Sequence, residues 1–113
     1  MLIELRYFDD CPNWLETDRH LRELTRDRDD ITLKRRPVET DTEAQCLGFH
    51  GSPSIVIDGV DAFPPGEDTP TGLSCRVYVT PEGVAGAPTL EQLRTVIDAR
   101  TVRGCFEVPN HGH

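Results

Sequence analysis

A chain of 113 residues with 36% hydrophobic content holds a single core, so one site should carry the function. Twelve basic residues against twenty acidic ones leave a net charge of −8, a field that repels phosphate and excludes nucleic acid and anionic membrane as expected partners. The start Met1-Leu2-Ile3-Glu4-Leu5 lacks the basic opening of a signal peptide and no segment has membrane-spanning length, so the chain is expected in the cytoplasm.

The first predicted element spans about Leu2 to Phe8. Leu2, Glu4 and Arg6 alternate with Ile3, Leu5 and Tyr7, and both faces carry enough apolar mass for a central strand. Asp9-Asp10 ends it. Pro12 suits the first turn of a helix, where its missing N–H costs nothing, and Trp14, Leu15, Leu21 and Leu24 recur at helical spacing. A helix from about Pro12 to Asp27 follows. Its other face, with Glu16, Asp18, Arg19, Arg22, Glu23 and Arg26, reads as a solvated surface. A second strand is expected over Ile31 to Val38, with Pro37 near a sheet margin. Thr40 and Glu43 form a capping box and Gly48 is a stop signal, so Asp41 to Leu47 reads as a short helix with Cys46 in its last turn.

Ser54 to Asp58 is the most apolar strand of the chain. Asp58-Gly59 favours a tight turn, but Ser74 to Thr80 is the next segment with strand character. An enlarged loop, Gly59 to Leu73, is therefore expected between the last two strands, with Pro64-Pro65-Gly66 and Pro70 inside it. Pro81-Glu82-Gly83 begins another turn. Thr89 with Gln92 then caps a closing helix, about Leu90 to Arg100, with Leu90, Leu93, Val96 and Ile97 at helical spacing. Residues 1–100 form the expected domain, and Thr101 to His113 a C-terminal tail without a clear period.

Cys11, Cys46, Cys75 and Cys105 are too widely spaced for zinc-type pairs or a dense disulfide framework, and in a reducing compartment should mostly be free thiols. Two segments nevertheless look like halves of a thiol site. Cys11 stands where a strand turns into a helix, next to Pro12, and the free N–H groups and positive dipole end of that helix favour thiolate. Gly51-Ser52-Pro53, directly before Ser54-Ile55-Val56-Ile57, would hold a backbone edge beside the sulfur. Trp14 stands where a second cysteine would complete Cys-x-x-Cys. Asp9 and Asp10 oppose a further negative charge, but neighbours at a strand end face opposite ways, so the Cys11 pKa is expected modestly below the free value of about 8.5. His50 reads as a solvent-facing loop residue, His20 as part of a polar helix face, and Cys105, His111 and His113 as tail residues; no metal and no cofactor are expected. Eleven of the twelve basic residues are arginine, which reads as compositional bias.

The order strand, helix, strand, helix, strand, strand, helix, with Cys11-Pro12-Asn13-Trp14 opening the first helix and Ser52-Pro53 before the third strand, resembles the thioredoxin and glutaredoxin family over roughly Met1 to Arg100. The resemblance implies a thioredoxin-like α/β fold with a central mixed sheet and a cis bond before Pro53. It implies thiol–disulfide exchange at Cys11 on a thiol or disulfide substrate, small or protein, that pairs with the backbone of Ser52 and contacts Pro12, Trp14 and Pro53. Because Trp14 cannot resolve a mixed disulfide, release falls to a low-molecular-weight thiol as co-substrate, as in monothiol glutaredoxin-like proteins, or to another cysteine. Cys46, on the helix leading to Pro53, is the internal candidate. Cys75 opens a strand that in this topology starts at the far end of the sheet, and Cys105 lies in the unplaced tail.

Two other readings compete. The chain also resembles, more distantly, the thiol region of alkylmercury lyase, with Cys11, Asp9 or Asp10, and either Cys46 or Cys75 as the two thiolates and aspartate that handle a thiophilic metal. Alternatively the domain is a non-catalytic binding module. In that case Phe63, within Asp61-Ala62-Phe63-Pro64-Pro65-Gly66, is an exposed contact or a lid over Cys11, or else tucks under its own loop.

Overall fold

The alternation of the opening segment places Ile3 and Leu5 on one side of β1 (Leu2–Tyr7), and both are fully buried. β1 pairs in parallel with β2 (Thr32–Pro37) and antiparallel with β3 (Ser54–Ile57), so it is an interior strand. A parallel pair requires a crossover. Here α1 (Asn13–Thr25) supplies it. The computed structural model describes residues 1–64 and 70–110, with side chains up to residue 100. Pro65 and Gly66 of the expected loop, the Cys105 side chain, His111 and His113 lie outside the described residues.

β3 is buried at every position, and Ile55 and Ile57 join Ile3, Leu5, Leu21, Tyr78, Leu93 and Ile97 in the main core. At about 1.5–3 kcal/mol for each fully buried aliphatic side chain, this layer is the main stabilising element. A second cluster, Val38, Ala44 and Phe49 with Phe8, Leu47 and Leu73 against it, packs around α2 (Asp41–Leu47). β2 is an outer strand whose Lys34, Arg35 and Arg36 guard the open edge against pairing with another chain.

The helix caps follow the sequence signals. Glu43 N–H donates to Thr40 Oγ1 (3.1 Å), and Gly48 closes α2 at φ +66°, where its N–H and that of Phe49 cap the final carbonyls. Thr89 and Gln92 bond reciprocally, at 2.9 and 3.1 Å, ahead of α3 (Leu90–Asn110). That helix continues past the end expected near Arg100. Propagation adds a hydrogen bond for each residue fixed, so a helix can outlast its apolar period.

The strands after β3 depart from expectation. Asp58 (φ +50°) and Gly59 (φ +87°) make a two-residue turn of the kind that needs two positive φ values, and β4 (Val60–Asp61) folds straight back on β3. The sheet order is β2-β1-β3-β4. The long connection therefore follows β4 and does not separate the last two strands of this sheet. Ser74 to Thr80 does not enter it; only Tyr78–Thr80 forms a strand, β5, paired with β6 (Gly83–Ala85) in a separate two-stranded sheet. The described residues thus form an α/β fold with three helices and a four-stranded mixed sheet. No helix among them is long and apolar enough to cross a membrane.

Candidate thiol site

The end of β1 delivers Cys11 to the start of α1 through the Asp9-Asp10 turn, closed by the Cys11 N–H donating to the Phe8 carbonyl (2.9 Å). Pro12 stands at the N-cap, so α1 begins without a side-chain cap and its first N–H groups remain beside the cysteine. Cys11 is only 1% exposed. Asp9 and Asp10 point to solvent.

Ser52, reached from α2 through Phe49, His50 and Gly51, is fully buried, and the Ser52–Pro53 bond is cis. Its carbonyl oxygen lies 3.7 Å from Cys11 Sγ, a position in which a reduced Cys11 thiol donates a weak bond to it. The same residue pairs with a distant segment. Ser52 N–H donates to the Ser74 carbonyl and Arg76 N–H donates to the Ser52 carbonyl, both at 2.8 Å, which forms a parallel bridge between Ser52 and Cys75. That pairing brings Cys75 to Cys11. The two form a disulfide with Cα atoms 5.9 Å apart, within the usual range.

The expected position of Cys75 at the far end of the sheet is thereby corrected. Its segment is not a sheet strand; it lies alongside the Ser52 backbone and turns into β5 only at Tyr78. Likewise, Cys11 and Cys75 are a bonded pair instead of two free thiols. Cys46 is an exposed free thiol.

Three features hold the Ser74–Arg76 strap. Gly51 has φ +121°, and a Cβ there would stand 3.0–3.1 Å from the Cβ, Cα and N of Arg76, so only glycine lets the two backbones meet at this distance. Arg76 is itself 8% exposed. Its guanidinium bonds Asp61 Oδ2 (2.9 Å), Ser54 Oγ (3.2 Å) and the Phe63 carbonyl, and lies over the Tyr78 ring, 4.8 Å from its centre. Tyr78 in turn donates its hydroxyl to the Pro53 carbonyl (2.5 Å). Burial pushes the Tyr78 phenol well above its ordinary range, the nearby Arg76 guanidinium opposing and the Asp61 carboxylate adding to the rise.

The other candidates are spread around this centre. Pro12 is exposed, and Trp14 stacks on Tyr7 with ring centres 4.1 Å apart and 24° between planes. Trp14 thus fills the position of a second Cys-x-x-Cys thiol with an aromatic that packs against the core. Phe63 meets Tyr78 edge-on at 5.4 Å and leans on the core. His50 is half-buried, its Nδ1 3.3 Å from the Pro70 carbonyl oxygen. Asp18, read from sequence as part of the solvated face, is buried and held by Arg35 through two bonds of 2.7 and 2.9 Å and by Arg22 at 3.3 Å. A buried carboxylate needs such partners. Leu15 is instead 54% exposed, because Thr17, Asp18 and Leu21 define the buried side of α1.

A cavity of about 530 Å³ opens beside the strap, bordered by His50, Phe63, Ser74, Cys75, Arg76 and Tyr78 among others. Sequence reasoning missed Arg76, weighed Cys75 only as an alternative to Cys46, and flagged Gly51 as part of the Ser52-Pro53 segment without its contact with Arg76. The signal present was Cys75-Arg76 itself, a cysteine and a cation just ahead of the strand Tyr78–Thr80. No family model, curated protein or solved structure matches this chain, so the geometry alone supports a functional reading.

Proposed function

We propose that the chain is a thioredoxin-like thiol–disulfide exchange protein whose redox pair is Cys11 and Cys75. The observation that carries this is the disulfide between a cysteine at a helix N-terminus and a cysteine held on the Ser52 backbone 64 residues away. The sheet order β2-β1-β3-β4, with β1 and β2 parallel and β3 and β4 antiparallel to their neighbours, supports the thioredoxin-like reading. So does the position of Cys11 and Pro53 at adjoining ends of β1 and β3.

The absence of a thiol at Trp14 then has a simple account. The second sulfur comes from the strap, and the site works with two thiols instead of one. Two electrons and two protons pass from the Cys11/Cys75 dithiol to a substrate disulfide, which leaves as two thiols while the protein disulfide forms. A low-molecular-weight thiol returns the pair to the reduced state. Reduction of a small disulfide coupled to glutathione tests this directly. Cys11→Ser and Cys75→Ser should each lower turnover at least about tenfold, with Cys46→Ser unchanged, because exchange requires both members of the pair. Loss on removing Cys46 with activity intact in Cys75→Ser would restore the Cys46 alternative.

A further inference from the structure

We infer that Cys75, and not Cys11, is the sulfur attacked when a low-molecular-weight thiol reduces this protein, and that the thiol enters through the cavity beside the strap. This inference rests on the exchange reading above. In the oxidised chain the two cysteines are not equivalent. Cys11 is 1% exposed, sealed between the start of α1 and Ser52, whereas Cys75 is exposed and borders the cavity that Cys11 does not reach. A cavity of about 530 Å³ falls in the range that accommodates small ligands.

The backbone points to the same substrate class. An extended peptide substrate needs a free N–H and C=O on Ser52, and both are already bonded to Ser74 and Arg76. A small thiol needs neither. The incoming thiolate forms a bond to Cys75 Sγ as the Cys11–Cys75 bond breaks, and the electron pair goes to Cys11 Sγ. Cys11 is the better leaving group, since the N–H groups and dipole at the start of α1 stabilise its thiolate. A second thiolate attacks the external sulfur of the mixed disulfide and releases Cys75. Two thiols thus become one disulfide, and their two protons end on Cys11 and Cys75.

The regiochemistry is measurable. Oxidised full-length chain carrying Cys46→Ser is exposed briefly to reduced glutathione, quenched with acid, alkylated and peptide-mapped. The expected intermediate carries glutathione on Cys75 with Cys11 alkylated; glutathione on Cys11 with Cys75 alkylated overturns the inference. As a second arm, reduced Cys11→Ser and Cys75→Ser variants are treated with oxidised glutathione. With Cys46 and Cys105 also replaced by serine, Cys75 in Cys11→Ser should react at least about tenfold faster than Cys11 in Cys75→Ser, and equal rates would contradict the proposal. A disulfide that glutathione never opens removes the exchange reading itself, and this inference with it.

Discussion

Reducing the Cys11–Cys75 bond should cost the fold about 4 kcal/mol. The bond joins residues 64 apart in sequence, and the chain-entropy relation for a closed loop of that size gives about 4.3 kcal/mol at 25 °C, between about 3 for a short loop and about 4.7 for one of a hundred residues. The native state should lose little of its own geometry on reduction. The strap is independently fixed by two backbone bonds to Ser52 and by the Arg76 contacts with Asp61, Ser54 and Phe63. The effect therefore falls on the unfolded chain, which gains the freedom the bond removed. Expressed as an equilibrium, folding favours this disulfide about a thousandfold over the same bond in the unfolded chain. The assay is urea unfolding of oxidised and reduced protein, followed by the single tryptophan, Trp14, in a background with Cys46 and Cys105 replaced by serine. With a slope of about 2 kcal/mol/M the midpoint should fall by about 2 M. A loss below about 1 kcal/mol would mean that the pair is not held as described, and would refute the reasoning.

Three further perturbations probe the strap. Arg76→Ala leaves Asp61 and the Phe63 carbonyl without their buried partner and should destabilise the oxidised protein by about 3 kcal/mol in urea unfolding; a change under about 1 kcal/mol would show the guanidinium contacts to be incidental. Asp61→Asn, which keeps an acceptor for the Phe63 N–H but removes the charge, should cost less than Arg76→Ala, and the reverse order would contradict the account. Gly51→Ala forces a Cβ against the Arg76 backbone at φ +121° and should cost about 1–3 kcal/mol while loosening the strap, read as faster alkylation of Cys11 after reduction; unaltered stability and alkylation would argue against close backbone approach. For Tyr78, the folded pKa lies above the unfolded value of about 10, so the native state holds the proton more tightly. Stability from this group is complete below about pH 10 and falls as pH rises further. Tyr78→Phe should be about 1 kcal/mol less stable than the parent near neutrality, through loss of the bond to Pro53, and that gap should shrink above pH 10. A gap independent of pH would show that Tyr78 does not resist ionisation.

What was legible in the sequence is what short-range chemistry determines. The capping pairs Thr40 with Glu43 and Thr89 with Gln92 act within one turn, and the apolar runs of β1 and β3 need no knowledge of their partners to be read as strands. Leu15 was misplaced because Trp14 and Leu15 are adjacent in the helix and cannot share one narrow buried face; Thr17 and Asp18 take the intervening positions. Asp18 itself was hidden by its type, since a carboxylate reads as surface until Arg35 is seen crossing from β2 to meet it. The Asp58-Gly59 turn was noticed, but the two-residue β4 beyond it is too short to carry an alternating pattern. At the site, Cys11 and Ser52-Pro53 were identified because their own neighbours mark them. Cys75 was weighed only as an alternative to Cys46 and placed at the far end of the sheet, because its true place depends on a backbone pairing across 23 residues to Ser52 and on an arginine that composition alone reduced to one of eleven.

The most direct test is a redox titration of the native chain in glutathione buffers, quenched with acid and denatured at each point, with each cysteine's free thiol read by alkylation and peptide mapping. The account predicts that Cys11 and Cys75 become alkylatable together along one two-electron curve, while Cys46 behaves independently. If Cys11 instead titrates as a separate mixed disulfide, with Cys75 alkylatable throughout, the two are not a redox pair and the central claim is wrong.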